Sequence, residues 1–263
     1  MCDGVVGIVA LMLVAGIGSA RAQLPIDPVQ EFCEQVGACP TASSPATGQT
    51  TSYASGDDGD VEAGAALSYT DNGDGTITDD NTGLMWEKKD SLGAPPNGGP
   101  RNPLNPHDAD NCYSWLGSCS VGGAACGTDA ECPGGTCNGT DCQCNGTDCQ
   151  GPGLTIYEWV AQLNASRFAG HDDWRIPNVK ELQSIVDYGR NFPAVDPAFE
   201  NNCTSGCNLE SCSCTARSTY GSSTSLAFFP GLALEVDFNS GFVVPAGKGG
   251  NFTAVRAVRG GSQ

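Results

Sequence analysis

The stretch Leu67-Ser-Tyr-Thr-Asp-Asn-Gly-Asp-Gly-Thr-Ile-Thr-Asp-Asp-Asn-Thr-Gly-Leu-Met-Trp-Glu87 decides the fold class. It predicts three short strands joined by two turns, because runs of strand-forming residues alternate with clusters of Asp, Asn and Gly. Gly supplies the positive φ angles of such turns, and Asp and Asn side chains accept hydrogen bonds from nearby backbone amides. The folded part of the chain therefore begins with strands.

The acidic residues of this stretch also allow a second interpretation, a calcium loop. The register of an EF-hand loop counted from Asp71 fails, since Thr76 falls at position 6, where Gly is required, and Gly73 at position 3, where a ligand is required. Structural turns are therefore preferred, and no other cofactor is predicted. The carboxylates that remain calcium candidates are Asp71, Asp74, Asp79 and Asp80.

Two helices are predicted in the middle of the chain. The first begins at Thr155 with Glu158 three residues later, and the second at Asn178 with Glu181 three residues later, both in the pattern of a capping box. Gly189 is expected to end the second helix. Apolar residues recur at helical spacing, and the expected buried stripes are Ile156, Trp159, Val160 and Leu163, then Val179, Leu182, Ile185 and Val186.

Strand-like segments return at 233–238, 241–244 and 252–259. Alternation of apolar and polar residues in the first and last gives each one buried face. Strands followed by helices followed by strands, without a regular βαβ alternation, predict an α+β domain with a mostly antiparallel sheet and two helices.

The cysteines indicate an oxidising compartment. Cys2 lies in a predicted signal peptide, and the remaining 14 are an even number, as full disulfide pairing requires. Zinc is the alternative, but the chain has no CxxC motif and only two, apparently isolated histidines, His107 and His171. The predicted disulfide cysteines are Cys33, Cys39, Cys112, Cys119, Cys126, Cys132, Cys137, Cys142, Cys144, Cys149, Cys203, Cys207, Cys212 and Cys214.

The N-terminal segment predicts export. An apolar run at 5–17 precedes Ala20-Arg-Ala22, so residues 1–22 match a cleaved signal peptide. This run is shorter than the roughly 20 residues of a membrane-spanning helix, so the mature protein is expected to have no membrane span. The expected location is the periplasm, the cell surface or the extracellular medium.

Composition then divides the mature chain. Residues 23–65 are poor in large apolar groups and predict a low-complexity linker with a small Cys33–Cys39 loop. Residues 66–263 form the predicted domain, interrupted at 112–151 by an insertion rich in Cys, Gly and Asn that repeats Asn-Gly-Thr-Asp-Cys-Gln at 138–143 and 145–150. With so few apolar side chains, only cross-links can hold the insertion in shape.

The formal net charge of −18 argues against nucleic acid as a partner, since binding to phosphates requires a basic surface. It disfavours anionic lipid surfaces for the same reason. An acidic surface that keeps an exported protein soluble is the preferred interpretation, with divalent-cation binding as the alternative.

The chain resembles the Lcl_C family, the C-terminal domain of collagen-like adhesins. The segments that carry the resemblance are 71–88, Gly170-His-Asp-Asp-Trp-Arg-Ile-Pro177 with the residues that follow to 184, Ser222-Ser-Thr224 and Val255-Arg-Ala-Val-Arg-Gly260. The resemblance implies a C-type-lectin-like fold and a role in binding. This chain departs from the family at Gly221, where the family tends to have Trp.

The same segments are also similar to formylglycine-generating enzymes, which use a pair of active-site cysteines. Here Ala257 stands where the resemblance expects a cysteine, and no cysteine follows Cys214. The expectation is therefore that the protein is not an enzyme. The residues expected to have structural roles are Trp86, Trp174, Arg175, Glu181, Arg256 and Arg259, with Arg175 and Glu181 forming an ion pair and the last two arginines facing opposite ways.

The expected function is an exported binding or adhesion module that recognises a glycan or an extracellular or envelope protein. The alternative is a structural protein of the cell envelope that uses the Cys-rich insertion as a protein contact. An enzyme that has lost its catalytic cysteines is less favoured. The sequence is compatible with an oligomer.

Overall fold

A computed structural model describes residues 44–91, 102, 104–139, 153–249 and 252–260. The predicted signal peptide and the cysteines at 33, 39, 142, 144 and 149 lie outside the described residues. Within the described part of the chain, no helix combines the length and the apolar character that a membrane crossing requires.

The described elements are three α-helices, three short 3₁₀ helices and twelve short strands. The α-helices are α1 (Asp58–Val61), α2 (Ile156–Ala165) and α3 (Val179–Ser184). The strands are β1 (Tyr69–Asp71), β2 (Thr76–Asp79), β3 (Leu84–Glu87), β4 (Tyr113–Ser114), β5 (Gly117–Cys119), β6 (Ala125–Cys126), β7 (Cys137–Asn138), β8 (Thr219–Ser225), β9 (Leu232–Asp237), β10 (Phe242–Gly247), β11 (Phe252–Thr253) and β12 (Val258–Gly260).

Every ladder between named strands in the described residues is antiparallel, and parallel pairing is limited to isolated bridges, which confirms the mostly antiparallel architecture. The three predicted N-terminal strands are present, and the C-terminal strand joins them in the order β1-β2-β3-β12. A second sheet has the order β10-β9-β8, and two smaller ladders pair β11 with β4 and order β6-β5-β7. Val258 lies opposite Trp86, so the end of the chain closes the sheet that its beginning started.

Both predicted helices begin at their predicted caps, each with a complete capping box. The second helix ends earlier than predicted, at Ser184 and not near Gly189. Its apolar stripe continues past the helix, because Val186 pairs with Val195 in an antiparallel bridge and stays buried. Gly189 instead lies against the carbonyl oxygen of Gly48, 2.4 Å from the position that a Cβ atom would take.

The predicted strand at 252–259 is split, which corrects the sequence interpretation. Thr253 pairs with Tyr113 in one ladder, and Val258 pairs with Trp86 in another. Between them Arg256 turns its side chain into the protein and has no exposed surface. A regular strand cannot provide this break, because the two halves belong to different sheets.

The linker boundary predicted at residue 65 also differs from the structure, since residues 44–65 lie against the domain. The Tyr188 amide donates to the Thr47 carbonyl at 2.7 Å, and the Ala46 amide donates to Ala65 at 2.7 Å. Asp57 caps α1 through the Asp60 amide. Backbone hydrogen bonds and Asp caps hold this segment in place. Its low apolar content, on which the linker prediction rested, did not reveal these contacts.

Two apolar clusters form the interior. The larger lies where the two main sheets and α3 meet, and the other packs α2 against the segments around Trp174 and Val255. Members of the first include Ile77, Trp86, Leu182, Phe199, Val236 and Phe238. Members of the second include Tyr113, Ile156, Trp159, Leu163, Trp174 and Val255.

The described part of the insertion, residues 112–139, folds around its cysteines. Disulfides join Cys119 to Cys132 and Cys126 to Cys137, and these four residues form a separate buried cluster. Cys112 is also disulfide-bonded. Cross-links therefore take the place of an apolar core here, as expected for a segment with few large side chains.

Candidate binding surface

The two predicted structural tryptophans are interior residues. Trp86 is completely buried and meets Phe199 edge to face, with ring centroids 6.4 Å apart. Trp174 is 3% exposed and donates from its indole to the Phe168 carbonyl at 3.0 Å. The Asn164 side chain donates to the Trp174 carbonyl at 2.9 Å and accepts from the Trp174 amide at 2.8 Å. Neither ring is available to a ligand.

Arg175 and Glu181 form the predicted ion pair in a two-pronged geometry. Guanidinium nitrogens of Arg175 lie 2.8 and 2.7 Å from the two carboxylate oxygens. One of these oxygens also accepts from the Asn178 amide at the start of α3. Burial raises the pKa of Glu181, but Arg175 and the backbone donor outweigh burial and leave this pKa below its ordinary value. The pair fixes the preceding loop to α3.

The two C-terminal arginines face different environments, although the parity argument does not apply, because Arg256 lies in the break between β11 and β12. Arg256 is fully buried and donates to the carbonyls of Glu87 and Cys214 at 2.8 and 2.7 Å. Arg259 is partly exposed and pairs with Asp173, with Nε 2.7 Å from the carboxylate. Arg256 therefore holds the interior together, and Arg259 closes a surface loop.

A buried charged network around Glu87 was missed by sequence reasoning. Glu87 has no exposed surface, and one of its oxygens lies 3.0 Å from Nζ of Lys89 and 2.7 Å from Nδ1 of His107. Lys89 is also buried and lies 4.4 Å from the ring centroid of Trp159. His107 is thus not isolated, which corrects the sequence interpretation. The sequence signal for this network was the run of charged residues at 87–90, which directly follows Trp86.

The pKa values in this network follow from burial and pairing. Burial raises the pKa of Glu87, but Lys89 and His107 more than offset it and hold this pKa below its ordinary value. Burial lowers the pKa of Lys89 in spite of the attraction of Glu87. Each charge is therefore maintained by its partners, as buried ions require.

The four calcium candidates are occupied by turn and ion-pair contacts. Asp71 pairs with Lys88 at 2.8 Å, and Asp74 accepts from the Thr76 amide at 3.0 Å. Asp79 accepts from the Asn81 amide, and Asp80 accepts from two hydroxyls, one of them on Ser68 at 2.7 Å. Within the described residues, these carboxylates form no group that gathers around one point. Their positions support the turn interpretation.

Two groups of cysteine sulfurs are close enough to suggest a metal, but disulfides already use them. The groups are Cys119, Cys126 and Cys132, and Cys207, Cys212 and Cys214, with sulfurs within 4.8 Å of one another. The second group belongs to the disulfides Cys203–Cys214 and Cys207–Cys212. A disulfide sulfur is not a thiolate, and zinc requires thiolates. The geometry therefore supports the disulfide interpretation.

Among the described residues, the most exposed aromatic pair lies at the loop between β8 and β9. Phe228 is 82% exposed and Phe229 is 56% exposed, and their rings meet edge to face at 4.8 Å. The loop is closed by the Leu226 amide, which donates to Leu232 at 2.9 Å. Two neighbouring phenylalanines held in water at a closed loop make this loop a candidate interaction surface.

Lys248 fixes both ends of this loop to a second aromatic pair. Its backbone amide donates to Gly231 at 3.0 Å, and its Nζ donates to Ser225 at 2.5 Å. The same Nζ lies 4.1 Å from the ring centroid of Trp115, which meets Tyr157 edge to face at 5.1 Å. Trp115 and Tyr157 are half-buried, and we call them, together with Phe228, Phe229 and Lys248, the aromatic surface.

Trp115 also reaches the Ser222-Ser-Thr224 segment. Its indole donates to the Ser222 carbonyl at 2.9 Å, one residue after Gly221. Gly221 is buried, and a Cβ atom there would lie 2.7 Å from the Thr253 side chain. A larger residue at 221 would collide with Thr253, and the aromatic side chain next to this segment is Trp115. Sequence reasoning missed Trp115, because its contact with Ser222 spans 107 residues.

The fold and the surface together define a disulfide-stapled α+β domain with a charged interior and an exposed Phe228–Phe229 pair. The model of the Lcl C-terminal domain family matches residues 75–259. The chain therefore belongs to this family, which confirms the resemblance and points to an extracellular adhesin-type module. No curated protein and no solved structure matches the chain significantly.

Proposed function

We propose that this protein is an exported, non-catalytic recognition module that binds a neutral glycan through the aromatic surface. The observation that carries the proposal is the exposed Phe228–Phe229 pair, whose loop is anchored to Trp115 through Lys248. Aromatic faces pack against the C–H groups of sugar rings, and rigid aromatic side chains lose little entropy on binding. The hydrogen-bonded base of the loop supports such a contact.

Charge favours a neutral ligand over a sulfated one. The chain has a net charge of −18, and a polyanion approaching it is repelled as a whole. Lys248 is already engaged by Ser225 and the Trp115 ring, so its ammonium group offers only part of its donor capacity. The proposed ligand is therefore an uncharged saccharide that offers hydroxyls to Lys248 and C–H faces to the rings.

A non-catalytic role agrees with the saturation of the charged groups in the interior. Glu87 is engaged by Lys89, His107 and the Ala257 amide, which leaves it no role towards an outside substrate. The described cysteines whose pairing is defined are in disulfides, not reactive thiols. The C-type-lectin-like character of the fold and export by a signal peptide belong to the same proposal.

The test is binding of the purified full chain to a glycan array, followed by calorimetry on the strongest saccharide. The double variant Phe228→Ala, Phe229→Ala is expected to weaken binding at least tenfold, or about 1.4 kcal/mol. Trp115→Ala is expected to weaken binding as well, because it removes both a ring and the partner of Lys248.

Phe242→Ala provides a matched control. Phe242 is 67% exposed and belongs to the same sheet, but it pairs with Asp237 at the opposite end of β9 from the 226–231 loop. Binding that survives in both the loop variant and the control would place the ligand elsewhere. An array without any bound saccharide, together with a specific envelope protein captured through the aromatic surface, would favour the structural alternative.

A further inference from the structure

The disulfides Cys203–Cys214 and Cys207–Cys212 are packed against each other. The sulfur of Cys207 lies 3.7 Å from the sulfur of Cys214, although the two belong to different bridges. This separation is a van der Waals contact between a sulfur of one bridge and a sulfur of the other. Thiol–disulfide exchange begins with such an approach, because a thiolate must reach a disulfide sulfur directly.

Each bridge joins a half-buried cysteine to a buried one, Cys203 to Cys214 and Cys207 to Cys212. Cys214 has no exposed surface, its amide donates to Lys89 at 2.8 Å, and its carbonyl accepts from Arg256 at 2.7 Å. Cys203 and Cys207 are only half-buried and lie on the loop that precedes it. An external thiol therefore reaches the sulfur of Cys207 more easily than that of Cys214. The sulfur of Cys214 is held in the interior by the contacts of its backbone.

We propose that this pair of bridges is a thiol–disulfide exchange site that passes reduction from Cys207 to Cys203. An external dithiol reduces the Cys207–Cys212 bridge and is itself oxidised to a disulfide. The Cys207 thiolate then attacks the sulfur of Cys214, the Cys207–Cys214 bond forms, the Cys203–Cys214 bond breaks, and Cys203 leaves as a thiolate that takes up a proton. The internal step is redox-neutral.

The product has thiols at Cys203 and Cys212 and a new bridge at Cys207–Cys214. Cys214 stays cross-linked throughout, so its contacts with Arg256 and Lys89 are retained. The partner implied is a dithiol, such as that of an exported reductant. The loop at 203–212 thus changes its covalent connection while the interior keeps its own.

The wild-type full chain tests the exchange directly. It is treated with one equivalent of dithiothreitol, quenched with acid, alkylated and mapped by mass spectrometry. The proposal predicts that labelled Cys203 exceeds labelled Cys207 severalfold, together with a Cys207–Cys214 linked peptide. Labels confined to Cys207 and Cys212, or four labelled cysteines without the rearranged bridge, would overturn it.

Two single variants add a matched comparison. Cys212→Ser leaves Cys207 as the unpaired thiol and is expected to show the Cys207–Cys214 bridge with free Cys203 in the purified protein. Cys207→Ser leaves Cys212 unpaired, and Cys203–Cys214 is expected to persist, because Cys212 is only two residues from Cys214. An intact Cys203–Cys214 bridge in both variants would contradict the proposal, and the wild-type experiment decides the matter if Cys212→Ser does not fold.

Discussion

Nδ1 of His107 lies 2.7 Å from a carboxylate oxygen of Glu87, and Glu87 has no exposed surface. The contact ties the 104–111 loop to the end of β3. The same oxygen is 3.0 Å from Nζ of Lys89, so one buried carboxylate holds two basic groups. A buried charge is costly unless it is paired, and the three groups therefore depend on one another.

Replacement of Glu87 by Gln is expected to destabilise the fold strongly. It leaves the buried Lys89 ammonium without its carboxylate, and breaking a buried pair costs about 3–5 kcal/mol. Urea denaturation measures the loss. Asp172→Asn is the control, because the Arg167–Asp172 pair is exposed, and it is expected to change stability by less than about 0.5 kcal/mol. Equal effects of both variants would contradict a special role for Glu87.

Asp108 is expected to make stability fall as the pH rises. Burial raises the pKa of Asp108 to about 6, whereas an unfolded Asp titrates near about 3.9. The folded state therefore binds the extra proton between these values, so the contribution of Asp108 is full below about pH 4 and is lost as the pH rises through about 6.

The variant Asp108→Asn checks this dependence, because an amide cannot ionise. The difference in unfolding free energy between variant and wild type is expected to grow in favour of the variant by up to about 3 kcal/mol between pH 4 and pH 7. Denaturation midpoints along this range provide the measurement. A difference that stays constant with pH would show that Asp108 does not titrate in this window.

The two disulfide clusters are expected to differ in their effect on the domain. Loss of Cys119–Cys132 in the double Ser variant is expected to open the insertion to proteases and leave the main unfolding transition in place. Its cysteines pack in a cluster of their own. Loss of Cys203–Cys214 is expected to lower global stability by about 2–5 kcal/mol, because the bridge constrains the unfolded chain and holds the Cys214 backbone, whose carbonyl accepts from Arg256. Limited proteolysis and calorimetry distinguish the two.

Arg175→Lys is expected to cost about 1 kcal/mol, since a single ammonium cannot replace the two-pronged contact with Glu181. Arg259→Lys serves as the comparison, because its partner Asp173 is largely exposed, and a smaller loss is expected there. Thermal unfolding of both variants gives the order. A larger loss of stability in Arg259→Lys than in Arg175→Lys would contradict the conclusion that the Arg175–Glu181 pair is the stronger of the two contacts.

Added calcium is expected to leave the melting temperature unchanged within about 1 °C at a concentration of about 1 mM, since bound ligand raises stability only when it exceeds its dissociation constant. Asp71, Asp74, Asp79 and Asp80 already accept hydrogen bonds or pair with Lys88. Differential scanning fluorimetry provides the readout. A clear upward shift that disappears in Asp79→Asn would restore the calcium interpretation.

Much of the fold is predictable from local sequence. The first three strands and the start of both predicted helices follow from turn residues and capping boxes, which act over a few residues. The end of α3 is not predictable in this way, because Val186 leaves the helix to pair with Val195. The split of the C-terminal strand is equally non-local, since its halves pair with β4 and β3.

The candidate surface was less accessible to sequence reasoning. Phe228 and Phe229 look like core residues in a sequence, and only the loop between β8 and β9 places them in water. Glu87 and Lys89 look like solvated charges, and only their burial beside Trp159 makes them a network. Exposure depends on which distant segments meet, and local pattern does not contain that information.

The sequence by itself determined the family, the antiparallel strands, the helix caps and the need for disulfides, because each rests on a motif, on composition or on contacts between residues near in the chain. The tertiary structure decided the rest. It put Arg256 in the interior and Arg259 at the surface, and it brought Trp115 to Ser222 across 107 residues. These outcomes depend on packing between distant segments. There, the free energy of folding depends on how far each charge is buried and whether it is paired.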